Sequence, residues 1–79
     1  MRERRKKRRE FAVCVRNTGY PAALELRKIY EILPDSEAAA HGLIRAIDES
    51  GEDYLYPKSF FVRIDLSQPV ETALFRAAG

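Results

Sequence analysis

The run Glu49-Ser50-Gly51-Glu52-Asp53-Tyr54-Leu55-Tyr56-Pro57-Lys58-Ser59-Phe60-Phe61-Val62-Arg63-Ile64 decides the fold. Residues 49–52 form a polar junction with one glycine, set between two short runs, Ile44–Asp48 and Asp53–Tyr56. A glycine at such a junction marks a hairpin turn, because the turn asks for a positive φ that glycine reaches without a Cβ clash. Pro57 has no N–H to give to a ladder and breaks the second strand. Lys58-Ser59-Phe60 is long enough for one helical turn, after which Phe61–Leu66 alternates again, with Val62, Ile64 and Leu66 on one side. The stretch predicts strand, turn, strand, one helical turn, strand.

Toward the N-terminus, Phe11, Val13 and Val15 alternate with Ala12, Cys14 and Arg16, the period of a half-buried strand, which places Cys14 on the less buried face. Asn17-Thr18-Gly19-Tyr20-Pro21 then supplies turn chemistry. Two segments carry both readings. Leu26, Ile29, Tyr30 and Leu33 have helical spacing behind Pro21, yet Arg27–Leu33 also reads as a strand closed by Pro34 and Asp35. Ala40, Leu43, Ile44 and Ile47 fit a helix that Gly42 interrupts, yet Leu43–Asp48 also reads as a strand. At the C-terminus, Ser67 or Gln68 caps a helix with Pro69 in its first turn. Val70, Ala73, Leu74 and Ala77 form its apolar stripe, which predicts a helix near 68–77 packed on the rest of the domain.

The chain has 79 residues, enough for one small domain. A chain of this size buries only about 60% of the surface its unfolded form exposes, so a large substrate-enclosing active site is not expected. The net charge of +2 is unevenly placed: residues 1–10 carry seven basic and two acidic side chains, residues 11–79 seven and ten, so the two parts stand at +5 and −3. With 46% apolar and 33% charged residues, residues 11–79 read as one globular domain, and residues 1–10, without an apolar side chain after Met1, as a flexible basic arm. A single cysteine excludes an internal disulfide, and His41 has no cysteine partner at zinc-ligand spacing. A reducing, cytoplasmic setting is expected, with no metal and no cofactor. The apolar run 11–15 is too short for a signal core or a membrane span.

Residues 49–64 resemble the C-terminal half of a Src-homology-three (SH3-like) barrel, where a hairpin is followed by a strand, a proline, one helical turn with an aromatic residue, and a closing strand. Pro57, Lys58, Ser59, Phe60 and Phe61 sit where that family has its proline, two polar residues, aromatic and apolar residue. Lys28–Asp35 followed by Ile47–Pro57 also looks like a group of short, uncharacterised bacterial proteins with an SH3-like barrel. This resemblance spans roughly residues 11–66. It implies that both ambiguous segments are strands, and it carries a fold without an activity. The chain departs from the peptide-binding members in having no tryptophan and in placing Phe60, which lacks a hydroxyl, at the groove position, so proline-rich ligands are not expected.

Four groups of residues bear on function. The cations Arg2, Arg4, Arg5, Lys6, Lys7, Arg8 and Arg9 would release counterions from a nucleic-acid backbone without reading sequence. The same run also reads as a solvated extension, a contact to an anionic membrane, or an extension ahead of the true domain start. Tyr20, Tyr54, Tyr56 and Phe60 are aromatics near loop tips that stack on ligands or fill a small core. Asp48, Glu49, Glu52 and Asp53 crowd the hairpin, but their spacing does not match a calcium loop, and they read as a solvated turn or a surface for a basic partner. Cys14 and His41 are the only nucleophile and base of a thiol mechanism, and nothing in the sequence brings them together.

The expectation is an all-β domain, a five-stranded SH3-like barrel with a short C-terminal helix and a basic N-terminal arm. Its expected role is non-catalytic: a monomeric module that meets a protein partner through a loop face with Tyr20, Glu49, Glu52, Asp53, Tyr54, Tyr56 and Phe60. The alternative is a nucleic-acid-binding protein that uses the arm and the exposed aromatics.

Overall fold

The computed structural model of the chain describes residues 9–75. Of the expected arm, only Arg9 and Glu10 fall within these residues, and the end of the expected helix at residues 76 and 77 falls outside them. The elements are β1 (Glu10–Cys14), β2 (Ile29–Leu33), α1 (Ser36–Ala40), β3 (Leu43–Ile47), β4 (Asp53–Pro57), a 3-10 turn (Lys58–Phe60), β5 (Phe61–Ile64) and α2 (Gln68–Phe75). All strand pairs are antiparallel and the order across the sheet is β4-β3-β2-β1-β5.

The hairpin forms where its turn residues demand it. Ile44 pairs with Tyr56 and Ala46 with Tyr54, and the turn closes through Asp48 N–H to the Glu52 carbonyl (3.0 Å) and Gly51 N–H to the Asp48 carbonyl (2.9 Å). Gly51 has φ +87°, the left-handed region that a glycine enters freely. Pro57 ends β4, and the 3-10 turn after it is fixed by Lys58 N–H on the Gly42 carbonyl (2.9 Å). Val15 N–H then meets the Phe60 carbonyl (2.8 Å), so the chain leaves β4 and lies along β1. Among the described residues β4 and β5 are the two edges and share no ladder. The sheet is open, and the closed barrel expected from the resemblance does not form: β4 pairs only with β3 and β5 only with β1, so no ladder joins the two edges.

One face of the sheet carries the core: Ala12 and Cys14, Tyr30 and Ile32, Ile44 and Ala46, Tyr56 and Phe61, joined by Leu24 from the 15–28 loop and by Phe60. Each large apolar side chain among them contributes about 1.5–3 kcal/mol on burial. The expected position of Cys14 is corrected here. Its side chain is fully buried, and Val15, expected on the covered side, is half exposed. β1 lies between β2 and β5, and Phe11 is buried on its other face, so alternation along this strand does not tell the two faces apart.

Both ambiguous segments contain a strand, but the second also contains a helix. Asp35 caps α1 by accepting the Ala38 N–H (2.9 Å), three alanines continue it, and Gly42 at φ +75° releases the chain into β3. At the C-terminus α2 forms with Ser67 Oγ accepting the Val70 N–H (3.4 Å). Its expected packing does not hold: Val70, Ala73 and Leu74 face solvent. Glu71 lies on the less exposed side of the helix, with Arg9 Nε 3.6 Å from its carboxylate and 3.8 Å from that of Glu31 in β2.

Candidate functional site

The 15–28 loop and the β3–β4 hairpin stand side by side, and a set of hydrogen bonds makes one surface of them. Tyr20 N–H meets the Asn17 carbonyl (2.8 Å), Leu24 N–H meets the Tyr20 carbonyl (3.0 Å), and Asn17 Nδ2 donates to the Leu24 carbonyl (2.9 Å). Glu49 N–H donates to the Ala23 carbonyl (3.0 Å) and joins loop to hairpin. The Glu49 carboxylate strengthens this join: Oε2 accepts from Lys28 Nζ (2.6 Å) and from the Tyr30 hydroxyl (2.5 Å), and that hydroxyl accepts the Glu25 N–H (2.7 Å). The Lys28 ammonium and the Tyr30 hydroxyl hold the Glu49 carboxyl below its usual range. Burial, with the Glu49 charge added, pushes the Tyr30 phenol well above its own range.

On this frame sits an aromatic cluster. The Tyr20 ring meets the Tyr56 ring edge-on at 4.9 Å between centroids and the Phe60 ring at 6.1 Å. Tyr56 and Phe60 are 3% and 7% exposed, whereas Tyr20 is 43% exposed, so its underside is fixed while its outer side is open. Tyr54 lies two residues before Tyr56 on the same strand face, is 50% exposed, and donates from its hydroxyl to Glu52 Oε1 (3.2 Å).

Asp48 lies beneath this cluster. Its Oδ2 accepts from the buried Tyr56 hydroxyl (2.5 Å), and its Oδ1 accepts from Ser50 Oγ (2.6 Å) and Ser50 N–H (2.8 Å). Burial pushes this carboxyl up, but the Ser50 and Tyr56 hydroxyls together with the Ser50 N–H outweigh it and leave the group below its usual range. Burial, and then the same contact, push the Tyr56 phenol well above its ordinary value.

The expected site residues therefore divide. Tyr20, Tyr56 and Phe60 come together, with Tyr56 and Phe60 as the buried base and Tyr20 as the open part, while Tyr54 shares Tyr56's strand face and is exposed beside Glu52. Glu49 is committed to Lys28 and Tyr30. Asp53 is committed to Arg45 Nη1 (2.9 Å), whose Nε also donates to Asp35 (2.8 Å). The Ala38 N–H and the Arg45 guanidinium hold the Asp35 carboxyl below its usual range. Arg9 faces Glu31 and Glu71, while Arg2, Arg4, Arg5, Lys6, Lys7 and Arg8 lie outside the described residues.

The structure gives the buried Cys14 thiol and the exposed His41 ring separate partners. Cys14 Sγ donates to the Arg16 carbonyl (3.3 Å), and burial pushes the thiol up, away from the thiolate a nucleophile needs. His41 Nδ1 lies 3.0 Å from the Glu37 carbonyl. Among the described residues no three of His, Cys, Asp and Glu gather as a metal ion would require, and no helix is long and apolar enough to cross a membrane.

The sequence reading passed over Asp48 as a buried group and over Lys28 and Tyr30 as the loop's tether. Hairpin parity carried the signal for Asp48: residues 44, 46 and 48 share a face with 52, 54 and 56 across the turn. Lys28 and Tyr30 gave none, since their link to Glu49 spans about twenty residues of chain. Comparison with known protein families, with curated proteins and with solved structures gives no match to this chain.

Proposed function

We propose that this chain is a non-catalytic interaction module that meets a protein partner through the surface formed by Tyr20, Tyr54 and Glu52 over the base of Tyr56 and Phe60. One observation carries the reading: Tyr20 is open to solvent at 43% while its ring is held from below by two buried aromatics. A ring fixed before binding loses little freedom on binding, and tyrosines in that situation dominate protein interfaces. Glu52 beside Tyr54 gives the surface a negative edge, which suits a basic protein segment and repels phosphate. That charge is why a protein partner is preferred here to a nucleic acid.

We also read the open sheet as SH3-like in its connectivity. The support is that β1 lies between β2 and β5, a long loop joins β1 to β2, a tight hairpin joins β3 to β4, and a single helical turn precedes β5.

The test is to place a photo-crosslinking phenylalanine derivative at position 20 of the full chain in the cells that make it. A discrete protein adduct that disappears in a Tyr54→Ala, Glu52→Lys background is expected. Adducts only to nucleic acid would replace this reading with the alternative of a nucleic-acid-binding protein.

A further inference from the structure

A cavity of about 360 Å³ shares no residue with the Tyr20 surface. Leu33, Ala39, Leu43, Ile44 and Phe61 give it apolar walls, so β2, α1, β3 and β5 all contribute. Its remaining lining is charged: Arg45, Lys58 and Arg63 against Asp35 alone. The lining thus stands at +2 in a domain whose residues 11–79 stand at −3.

These cations differ in how they are used. Arg45 is held by Asp35 and Asp53, and Arg63 by Glu10. Lys58 is exposed and forms no ion pair among the described residues, while its backbone N–H is fixed on Gly42. An apolar chamber in the size range of small-molecule sites, with one uncommitted ammonium at its rim, has the chemistry of an amphipathic anion site. We propose that this cavity binds a small carboxylate with an apolar body of one or two rings, the body against Leu43, Ile44 and Phe61 and the carboxylate on Lys58. This proposal is independent of the partner reading above.

The test follows backbone amide shifts of the labelled full chain during titration with 1-naphthoate, 1-naphthalenemethanol and acetate. Saturable shifts at Leu43, Ile44, Lys58 and Phe61 are expected with 1-naphthoate, at a dissociation constant of about 1 mM or tighter. The neutral alcohol should bind about tenfold more weakly, and acetate should not bind, because the site needs both the charge and the apolar body. Lys58→Glu should weaken 1-naphthoate about tenfold or more with the spectrum otherwise intact. Ala39→Leu fills the chamber from an exposed helical position that favours leucine, and should abolish binding without unfolding. Equal affinity for acid and alcohol, indifference to Lys58→Glu, shifts centred on Tyr20 and Tyr54, or no shifts at millimolar ligand would each overturn the proposal.

Discussion

The hydroxyl of Tyr56 donates a 2.5 Å hydrogen bond to Oδ2 of Asp48, and both side chains are buried. A carboxylate in that position is costly unless donors satisfy it, and here Tyr56 and Ser50 do so on both oxygens. The hairpin is therefore closed from inside as well as by its backbone. Tyr56→Phe removes one donor from a buried acceptor and should lower the unfolding free energy by about 1–3 kcal/mol, read as the urea midpoint at pH 7. Asp48→Ala should cost more than Tyr56→Phe, because Ser50 and Tyr56 then both lose their acceptor. Equal midpoints for Tyr56→Phe and the parent chain would mean that the bond carries no stability.

Acid should unfold the protein through the same carboxylates. Asp48 and Glu49 are held below their usual range, so the native state binds fewer protons than the unfolded one as the pH falls. Their contribution is complete above the ordinary carboxylate values and is lost as the pH drops through the lowered native values, a window of about pH 5 to 2. Tyr30 and Tyr56 have the opposite sign: their raised phenols contribute fully below the ordinary tyrosine value, and that contribution declines above about pH 10. Urea midpoints from pH 2 to 11 should form a plateau between two falling limbs. Glu49→Gln should flatten the acid limb, and an acid limb of unchanged slope in that variant would remove Glu49 from the account.

The Tyr30 hydroxyl links the 15–28 loop to the hairpin, accepting from the Glu25 N–H and donating to Glu49. Tyr30→Phe keeps the ring in the core and removes both bonds, with an expected loss of about 1–2 kcal/mol and faster amide exchange at Glu25 and Glu49. Lys28→Ala removes a half-exposed cation from Glu49, from Glu25 and from the face of the Tyr30 ring, and, as these are surface contacts, should cost no more than about 1 kcal/mol. Should the two variants lose equal stability, the buried hydroxyl would have no special role.

Tyr20 joins an exposed face to a buried one, so Tyr20→Ala separates binding from folding. Loss of its two ring contacts, at about 0.5–1.5 kcal/mol each, should cost about 1–3 kcal/mol, read by thermal unfolding. Tyr56→Ala, which opens the core, should cost about 3–5 kcal/mol. A cost for Tyr20→Ala as large as that for Tyr56→Ala would make Tyr20 a core residue and remove the basis of the proposed binding surface.

The elements legible in the sequence are those whose signals are local. Gly51, Pro57 and the aromatic after Lys58-Ser59 punctuate the hairpin, the 3-10 turn and β5 within a few residues, and the structure has them there. Ser67 and Pro69 likewise mark the start of α2. What escaped depends on neighbours distant in the chain. Cys14 is buried because β5 arrives from some fifty residues away to pair with β1. The stripe of Val70, Ala73 and Leu74 stays in solvent, and Glu71 of the same helix lies near Arg9, some sixty residues away in the chain. α1 lies between these cases: Asp35 is a good cap for three alanines, but a five-residue helix is too short for periodicity to separate from the strand after it. The candidate site follows the same division, with its aromatics visible in the sequence and the tether of Lys28, Tyr30 and Glu49 visible only once the chain is folded.

Gly51 tests whether backbone torsion alone sets the cost of altering the turn. Its φ is +87°, and a Cβ built there meets nothing within 4 Å. Side-chain bulk has room, so the penalty is that of the left-handed region, about 1–2 kcal/mol for an ordinary residue. Gly51→Asn should cost least, since asparagine enters that region more readily than other side chains, and Gly51→Val should cost most, since its branched Cβ is least tolerant of it. Asparagine and valine are close in size, so a torsional cost separates them whereas a steric one would not. Urea midpoints ordered glycine, asparagine, alanine, valine would establish the torsional account. Equal midpoints for the asparagine and valine variants would refute it and point to a turn that opens under either side chain.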